Sequence, residues 1–216
     1  MKTAVIISGG SLNPDFALAF LRKEEPKILI GADRGICFLR DKGIRPTHIV
    51  GDFDSASGDA LEYFRRFPEI PIRKFNPVKD LTDTEIAMNL AIELGAERIF
   101  ILGGTGTRLD HVVANIKLLA MALEQGKECI LLDEHNRIRL TDQPMKIRKT
   151  EQYGKYVSLF AFGGQVTGLT LRGFFYPLTE YDMTPENPIG VSNEITAENG
   201  EISFSSGMLL VMESKD

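Results

Sequence analysis

Up to about residue 130 the chain alternates short runs rich in Ile and Val with longer segments of helical periodicity, and no other feature constrains its fold as much. The strand-like runs fall at 4–8, 28–31, 48–51, 72–75, 99–103 and 129–132, and the helix-like stretches at 15–22, 35–42, 59–67, 82–94 and 110–125. Runs apolar on both faces are what a parallel sheet covered by helices on both sides requires. The expectation is an α/β amino-terminal domain with a mostly parallel, doubly wound sheet over 1–135. From about residue 136 the helical pattern vanishes, and 137–141, 155–162, 165–172, 201–205 and 208–212 read as strands separated by Gly-containing turns. An all-β carboxy-terminal sandwich over 136–216 follows.

Composition removes several classes of function. At 216 residues the chain is long enough to bury a core without disulfides or a structural metal. Its 25 Lys+Arg against 30 Asp+Glu, with no basic tract, lack the footprint of a binder of nucleic acid or anionic membranes. Cys37 and Cys129 have no paired spacing, which excludes a disulfide framework or zinc knuckle and suits a reducing cytoplasm. The apolar start ends at Ser8-Gly9-Gly10-Ser11, short of a signal peptide, and no run approaches the roughly 20 apolar residues that span a bilayer. A cytoplasmic protein without membrane partners is expected.

The informative carboxylates sit just after expected strands. Asp33 lies in Gly31-Ala32-Asp33-Arg34-Gly35, and Asp52 and Asp54 in Gly51-Asp52-Phe53-Asp54-Ser55. Asp80 and Asp83 lie in Lys79-Asp80-Leu81-Thr82-Asp83-Thr84-Glu85, and Arg108 and Asp110 close the Gly103–Gly106 loop, which contains Gly104 and Thr105. In a parallel sheet these strand ends share the edge where open α/β folds bind ligands. Two carboxylates about 4 Å apart repel by about 4 kcal/mol at an effective dielectric of 20, so such a cluster calls for a cation or raised pKa values. Oxygen-only ligands favour Mg²⁺ or Ca²⁺, and Mg²⁺ is commonly shared between carboxylates and substrate phosphates. The glycine loop has neither P-loop nor Gly-x-Gly-x-x-Gly spacing, but Arg108 adds a group able to grip phosphate.

Plainer roles compete at each position. Thr82 and Glu85 fit a capping box that Asp83 would merely extend, and Asp110 fits a helix cap. Asp33 fits a turn with Arg34 as an exposed ion pair. Asp54 would cap the next helix, but Asp52 gains nothing from that cap. His111 reads as an ordinary first-turn histidine and His135 as part of a hairpin turn. No His-Glu-x-x-His or Gly-x-Ser-x-Gly is present, which argues against a zinc protease and a serine hydrolase.

Taken in order, the four motifs resemble thiamine pyrophosphokinases, and the resemblance extends to Ser192-Asn193-Glu194. It implies a homodimer whose amino-terminal domain binds nucleotide and Mg²⁺. Its carboxy-terminal domain would bind thiamine and dimerise, with the thiamine pocket at the subunit interface between domains. The implied reaction converts ATP and thiamine to thiamine diphosphate and AMP: the hydroxyethyl oxygen attacks the β-phosphorus. Asp52, Asp54 and Asp83 match the metal-centred residues, with Asp80 adjacent, and Arg108 and Asp110 match the reacting-phosphate end. Asp33, Arg34, Lys79, Thr82, Gly104 and Thr105 fall to the nucleotide, while Ser192, Asn193 and Glu194 fall to thiamine. The chain has no Trp, so Tyr or Phe must supply any aromatic wall, and Tyr176 in Arg172-Gly173-Phe174-Phe175-Tyr176-Pro177-Leu178 is the candidate. Asp80 and Asp110 both remain open as the general base. Two rivals stand beside this reading: another Mg²⁺-dependent phosphohydrolase, and a non-catalytic thiamine or nucleotide sensor.

Overall fold

The computed structural model describes residues 1–53, 58–74 and 81–216. The chain divides into two compact units, Met1–Glu134 and His135–Asp216. Among the described residues of the first unit, strands β1 (Thr3–Ile7), β2 (Ile28–Ala32), β3 (His48–Gly51), β4 (Ile72–Lys74), β5 (Arg98–Leu102) and β6 (Glu128–Leu132) alternate with helices. The helices are α1 (Pro14–Glu24), α2 (Gly35–Asp41), α3 (Gly58–Phe64), α4 (Asp83–Glu93) and α5 (Leu109–Glu124). All pairings within this sheet are parallel, in the order β4-β3-β2-β1-β5-β6.

The sequence chemistry accounts for these elements. Ala4, Val5, Ile6 and Ile7 of β1 have no exposed surface, and β2 is buried along its whole length, as central strands covered on both faces must be. Arg73 and Lys74 are exposed on β4, which lies at the sheet edge, where charge discourages further pairing. Asn13 caps α1 by accepting from the N–H groups of Asp15 and Phe16, with Pro14 in the first turn. Thr82 caps α4 by accepting from the Glu85 N–H at 3.2 Å.

The strand order places a switch between β1 and its neighbour β5, because the chain builds outward through β2–β4 on one side before returning to the other. The loops leaving β1 and β5 are zipped together. Ser8 N–H donates to Leu102 O, Gly10 N–H to Gly103 O and Ser11 N–H to Thr105 O, each at 2.8 Å. Gly103 has φ +67°, and a Cβ there would stand 2.6 Å from Ser8 O; a Cβ on Gly10 would stand 2.3 Å from Thr105 O. Only glycine permits this approach.

The second unit is antiparallel throughout: β7 (Asn136–Thr141), β8 (Met145–Arg148), β9 (Tyr156–Arg172), β10 (Leu178–Met183), β11 (Asn193–Glu194), β12 (Asn199–Ser203) and β13 (Ser206–Ser214). The first part of β9 pairs with β11 and β13, and the second with β10 and β12. Val157, Leu159, Val166, Leu169, Ile202 and Val211 meet in one core between these layers. The runs expected as separate strands at 155–162 and 165–172 are this one strand. Gly163, at φ +72°, and Gly164 make a bulge in it, marked by the register shift against β13 between Ser206 and Met208. Strands β8, β10 and β11 had no counterpart in the sequence reading. Under β13 the wholly buried carboxylate of Glu213 accepts from Arg137 (2.6 and 2.8 Å), Arg139 (2.9 Å) and the Tyr153 N–H (3.0 Å).

Candidate active site

A cleft of about 640 Å³ opens at the carboxyl edge of the parallel sheet, at the β1/β5 switch. Its walls include the loop after β1, Asp33 and Arg34 after β2, Asp52 after β3, Thr82 to Thr84 at the start of α4, and Gly103 to Arg108 after β5. The amino ends of α4 and α5 supply positive dipole ends at this edge.

Carboxylate oxygens of Asp33, Asp52 and Asp83, all half-buried, lie within 4.8 Å of one another. Burial pushes the Asp33 carboxyl above its ordinary value, aided by the negative charges of Asp83 and Asp52 and opposed by a backbone hydrogen bond at Arg34 and by the Arg34 charge. The geometry brings Asp33 into a cluster for which the sequence suggested Asp52, Asp54 and Asp83. Asp54, Asp80 and Lys79 lie outside the described residues. Asp33 occupies the left-handed region at φ +46°, and buried Phe53, beside Asp52, does so at φ +58°. Strain of this kind concentrates at functional sites. Gly9 keeps the cluster open, because a Cβ there would stand 3.0 Å from Asp33 Oδ2.

Several residues of the cleft were not singled out from the sequence. Ser8 and Thr84 line it, are nearly sealed from solvent, and share a hydroxyl hydrogen bond of 2.6 Å that ties the end of β1 to the first turn of α4. Buried Asn115 donates to Gly104 O at 2.7 Å and so fixes the glycine loop. His111 lines the cleft, although its sequence context read as that of an ordinary first-turn residue. Ser8-Gly9-Gly10-Ser11 was detectable by the strand-end argument already applied to the carboxylates. Asn115 carried no such signal.

Asp110, expected at the reacting-phosphate end of the cleft with a plain helix cap as the competing role, is not the cap of α5. Arg108 occupies the cap position of α5, and its guanidinium binds Asp110 in bidentate fashion. That contact holds the Asp110 carboxyl below the usual carboxylate range. Arg108 lines the cleft, and Asp110 is not among its lining residues.

Residues 21–131 match the family model for the thiamin pyrophosphokinase catalytic domain, and 143–209 that for the thiamin pyrophosphokinase vitamin B1 binding domain. A curated thiamine pyrophosphokinase of Bacillus subtilis (strain 168) is 32% identical over 218 residues, covering 100% of both chains. The chain belongs to the thiamin pyrophosphokinase family. Among solved structures of the family, that of the Bacillus subtilis thiamine pyrophosphokinase superposes with a TM-score of 0.88 at 31% identity over 100% of both chains. The Geobacillus thermodenitrificans thiamin pyrophosphokinase does so with a TM-score of 0.83 at 30% identity, over 99% of this chain and 98% of the other.

The remaining expected residues lie in the part matched by the thiamin pyrophosphokinase vitamin B1 binding model. Tyr176 is exposed, with its ring edge-on to Phe175 at 4.8 Å between centroids. Ser192, exposed at φ +57°, donates its N–H to Ser158 Oγ. Glu194 pairs with Lys155 at 3.1 Å. Asn193, expected among the thiamine residues, is buried, with its amide taken up by the backbone of Tyr176 and Glu194. Neither Cys37 nor Cys129 is in a disulfide, and burial pushes the Cys129 thiol up to about 12, which leaves it unreactive. Among the described residues, no helix is long and apolar enough to cross a membrane.

Proposed function

We propose that the protein is a thiamine pyrophosphokinase that transfers the pyrophosphoryl group of ATP to the hydroxyethyl oxygen of thiamine, giving thiamine diphosphate and AMP. The observation that carries this reading is the convergence of Asp33, Asp52 and Asp83 at the switch-point cleft of a chain from this family. Three oxygen-donor side chains close together, one with its pKa raised, suit a hard divalent cation, so Asp33, Asp52 and Asp83 would hold Mg²⁺, with Asp54 next in sequence to join them. When bound, Mg²⁺ supplies charge neutralisation on the phosphoryl oxygens.

The chain's own residues provide the rest. The zipped loops after β1 and β5 offer a rigid, side-chain-poor surface against which phosphates can lie. Arg108 and Arg34 add positive charge, with Lys79 as a further candidate. Asp110, held anionic by Arg108, is a poor proton acceptor while that contact lasts; we assign it to orienting the guanidinium. Asp80 is then the candidate base for the hydroxyethyl proton. Ser192, Glu194 and Tyr176 are assigned to thiamine, and the second unit to dimerisation. Two cysteines outside any disulfide and the balance of charge support a cytoplasmic enzyme with no nucleic-acid partner.

Incubation with ATP and Mg²⁺, with and without thiamine, tests the reading. AMP formed in proportion to thiamine consumed supports it. Phosphate release without an acceptor would indicate a phosphohydrolase, and thiamine binding without AMP would indicate a sensor.

A further inference from the structure

Exposed aromatic side chains held on a rigid backbone call for an explanation, because folding gains little from them. Phe175 and Tyr176 are 63% and 62% exposed, while their neighbour Phe174 is buried and pairs with Ile195 in an isolated bridge. The backbone of this segment is fixed at three points. Phe175 N–H donates to Glu194 O at 2.8 Å, Tyr176 N–H donates to Asn193 Oδ1 at 3.0 Å, and Asn193 Nδ2 donates to Tyr176 O at 2.8 Å.

The backbone of Asn193 belongs to β11 and pairs with Val157 of β9. Its side-chain amide therefore acts toward Tyr176 as a pairing strand would, accepting from the N–H and donating to the carbonyl. The amide oxygen also accepts from Glu194 N–H at 2.9 Å, which uses both of its lone pairs, and the residue is only 4% exposed.

We propose that Asn193 is a positioning residue for thiamine recognition: it touches no substrate, and acts by fixing the Tyr176 backbone so that the ring forms a flat surface for the substrate's cationic heterocycle. The proposal rests on the thiamine pyrophosphokinase reading for the identity of that ligand. A cation over an aromatic face gains more as it is desolvated, and the gain requires a ring held in place.

A double-mutant cycle read by calorimetric thiamine binding tests this, alongside KM for thiamine and for ATP. Asn193→Ala and Tyr176→Ala are each expected to weaken thiamine binding about tenfold, the size of one well-placed cation–aromatic contact. Both should leave KM for ATP unchanged, and the double variant should bind no more weakly than Tyr176→Ala alone. Tyr176→Phe should retain binding. Asn193→Asp, which still accepts from both N–H groups but no longer donates to Tyr176 O, should fall between wild type and Asn193→Ala, and serves if the alanine variant does not fold. Additive losses would overturn the proposal by showing that Asn193 meets the ligand directly, and so would unchanged binding in either alanine variant. Wild type that makes AMP while Asn193→Ala binds thiamine normally would overturn this inference alone; wild type that binds no thiamine would overturn the functional reading with it.

Discussion

The hydroxyls of Ser8 and Thr84 lie 2.6 Å apart at the wall of the cleft, joining the end of the central strand to the helical turn that carries Asp83. Thr84 is itself nearly buried, so Ser8→Ala leaves a sealed hydroxyl without this partner, at a cost of about 1–2 kcal/mol. The expected result is a lower midpoint in urea together with a severalfold rise in the Mg²⁺ concentration needed for half-maximal activity. Ser8→Thr, which keeps a hydroxyl, should recover most of the Mg²⁺ response. A Ser8→Ala protein with wild-type stability and Mg²⁺ dependence would show that the contact is idle.

Asp33 predicts a signed pH effect. Its folded-state pKa is raised, so its contribution favours the folded state below the ordinary carboxylate value and is lost as pH rises through the folded value. In EDTA, Asp33→Asn should therefore melt above wild type at neutral pH, with the difference shrinking toward about pH 4, the usual aspartate range. The cost of burying the Asp33 charge, with repulsion from Asp83 and Asp52 adding to it, is screened by partial exposure to about 1 kcal/mol, or a few degrees in a chain of this length. Mg²⁺ should raise the melting temperature of wild type and leave that of the variant nearly unchanged. A lower melting temperature for Asp33→Asn in EDTA would contradict an unfavourable buried charge at Asp33.

Arg108 and Asp110 form an ion pair in which both side chains are largely exposed, and such pairs contribute little to stability. Arg108→Ala should keep its unfolding midpoint while losing about a hundredfold or more in kcat/KM for ATP, as expected when a guanidinium serving phosphoryl transfer is removed. Arg108→Lys should restore only part of that, because the bidentate grip is lost. Full activity in Arg108→Ala would remove the residue from the mechanism.

In the second unit the buried Glu213 carboxylate pairs with both Arg137 and Arg139. Glu213→Gln removes the carboxylate charge that both partly buried guanidiniums share and should cost about 3–5 kcal/mol in urea unfolding. A loss below about 1 kcal/mol would mean that solvent already screens the arginines.

The parallel half of the fold was legible because its strands are apolar on both faces and its helices carry their own caps, as with Asn13 and Thr82. The antiparallel half was less so. Gly163-Gly164 has the composition of a hairpin turn, yet β9 continues through it as a bulge because its two parts pair with different partners. The two residues of β11 are too few to show a period. At the site, strand-end position pointed to a shared edge, but residue type cannot say which carboxylates converge there, and Asp33, not named with the metal-centred residues, lies with Asp52 and Asp83. Asn193 shows a related limit: its place beside Ser192 suggested a ligand contact, and nothing in the sequence pointed to its hydrogen bonds with the Tyr176 backbone.

The central claim is that the bond broken lies between the α- and β-phosphates of ATP, and the most direct measurement is the fate of label placed in the γ-phosphate. With thiamine and Mg²⁺ present, the label should appear in thiamine diphosphate, with unlabelled AMP formed in equal amount. Label in thiamine monophosphate accompanied by ADP, or in free phosphate irrespective of thiamine, would contradict it.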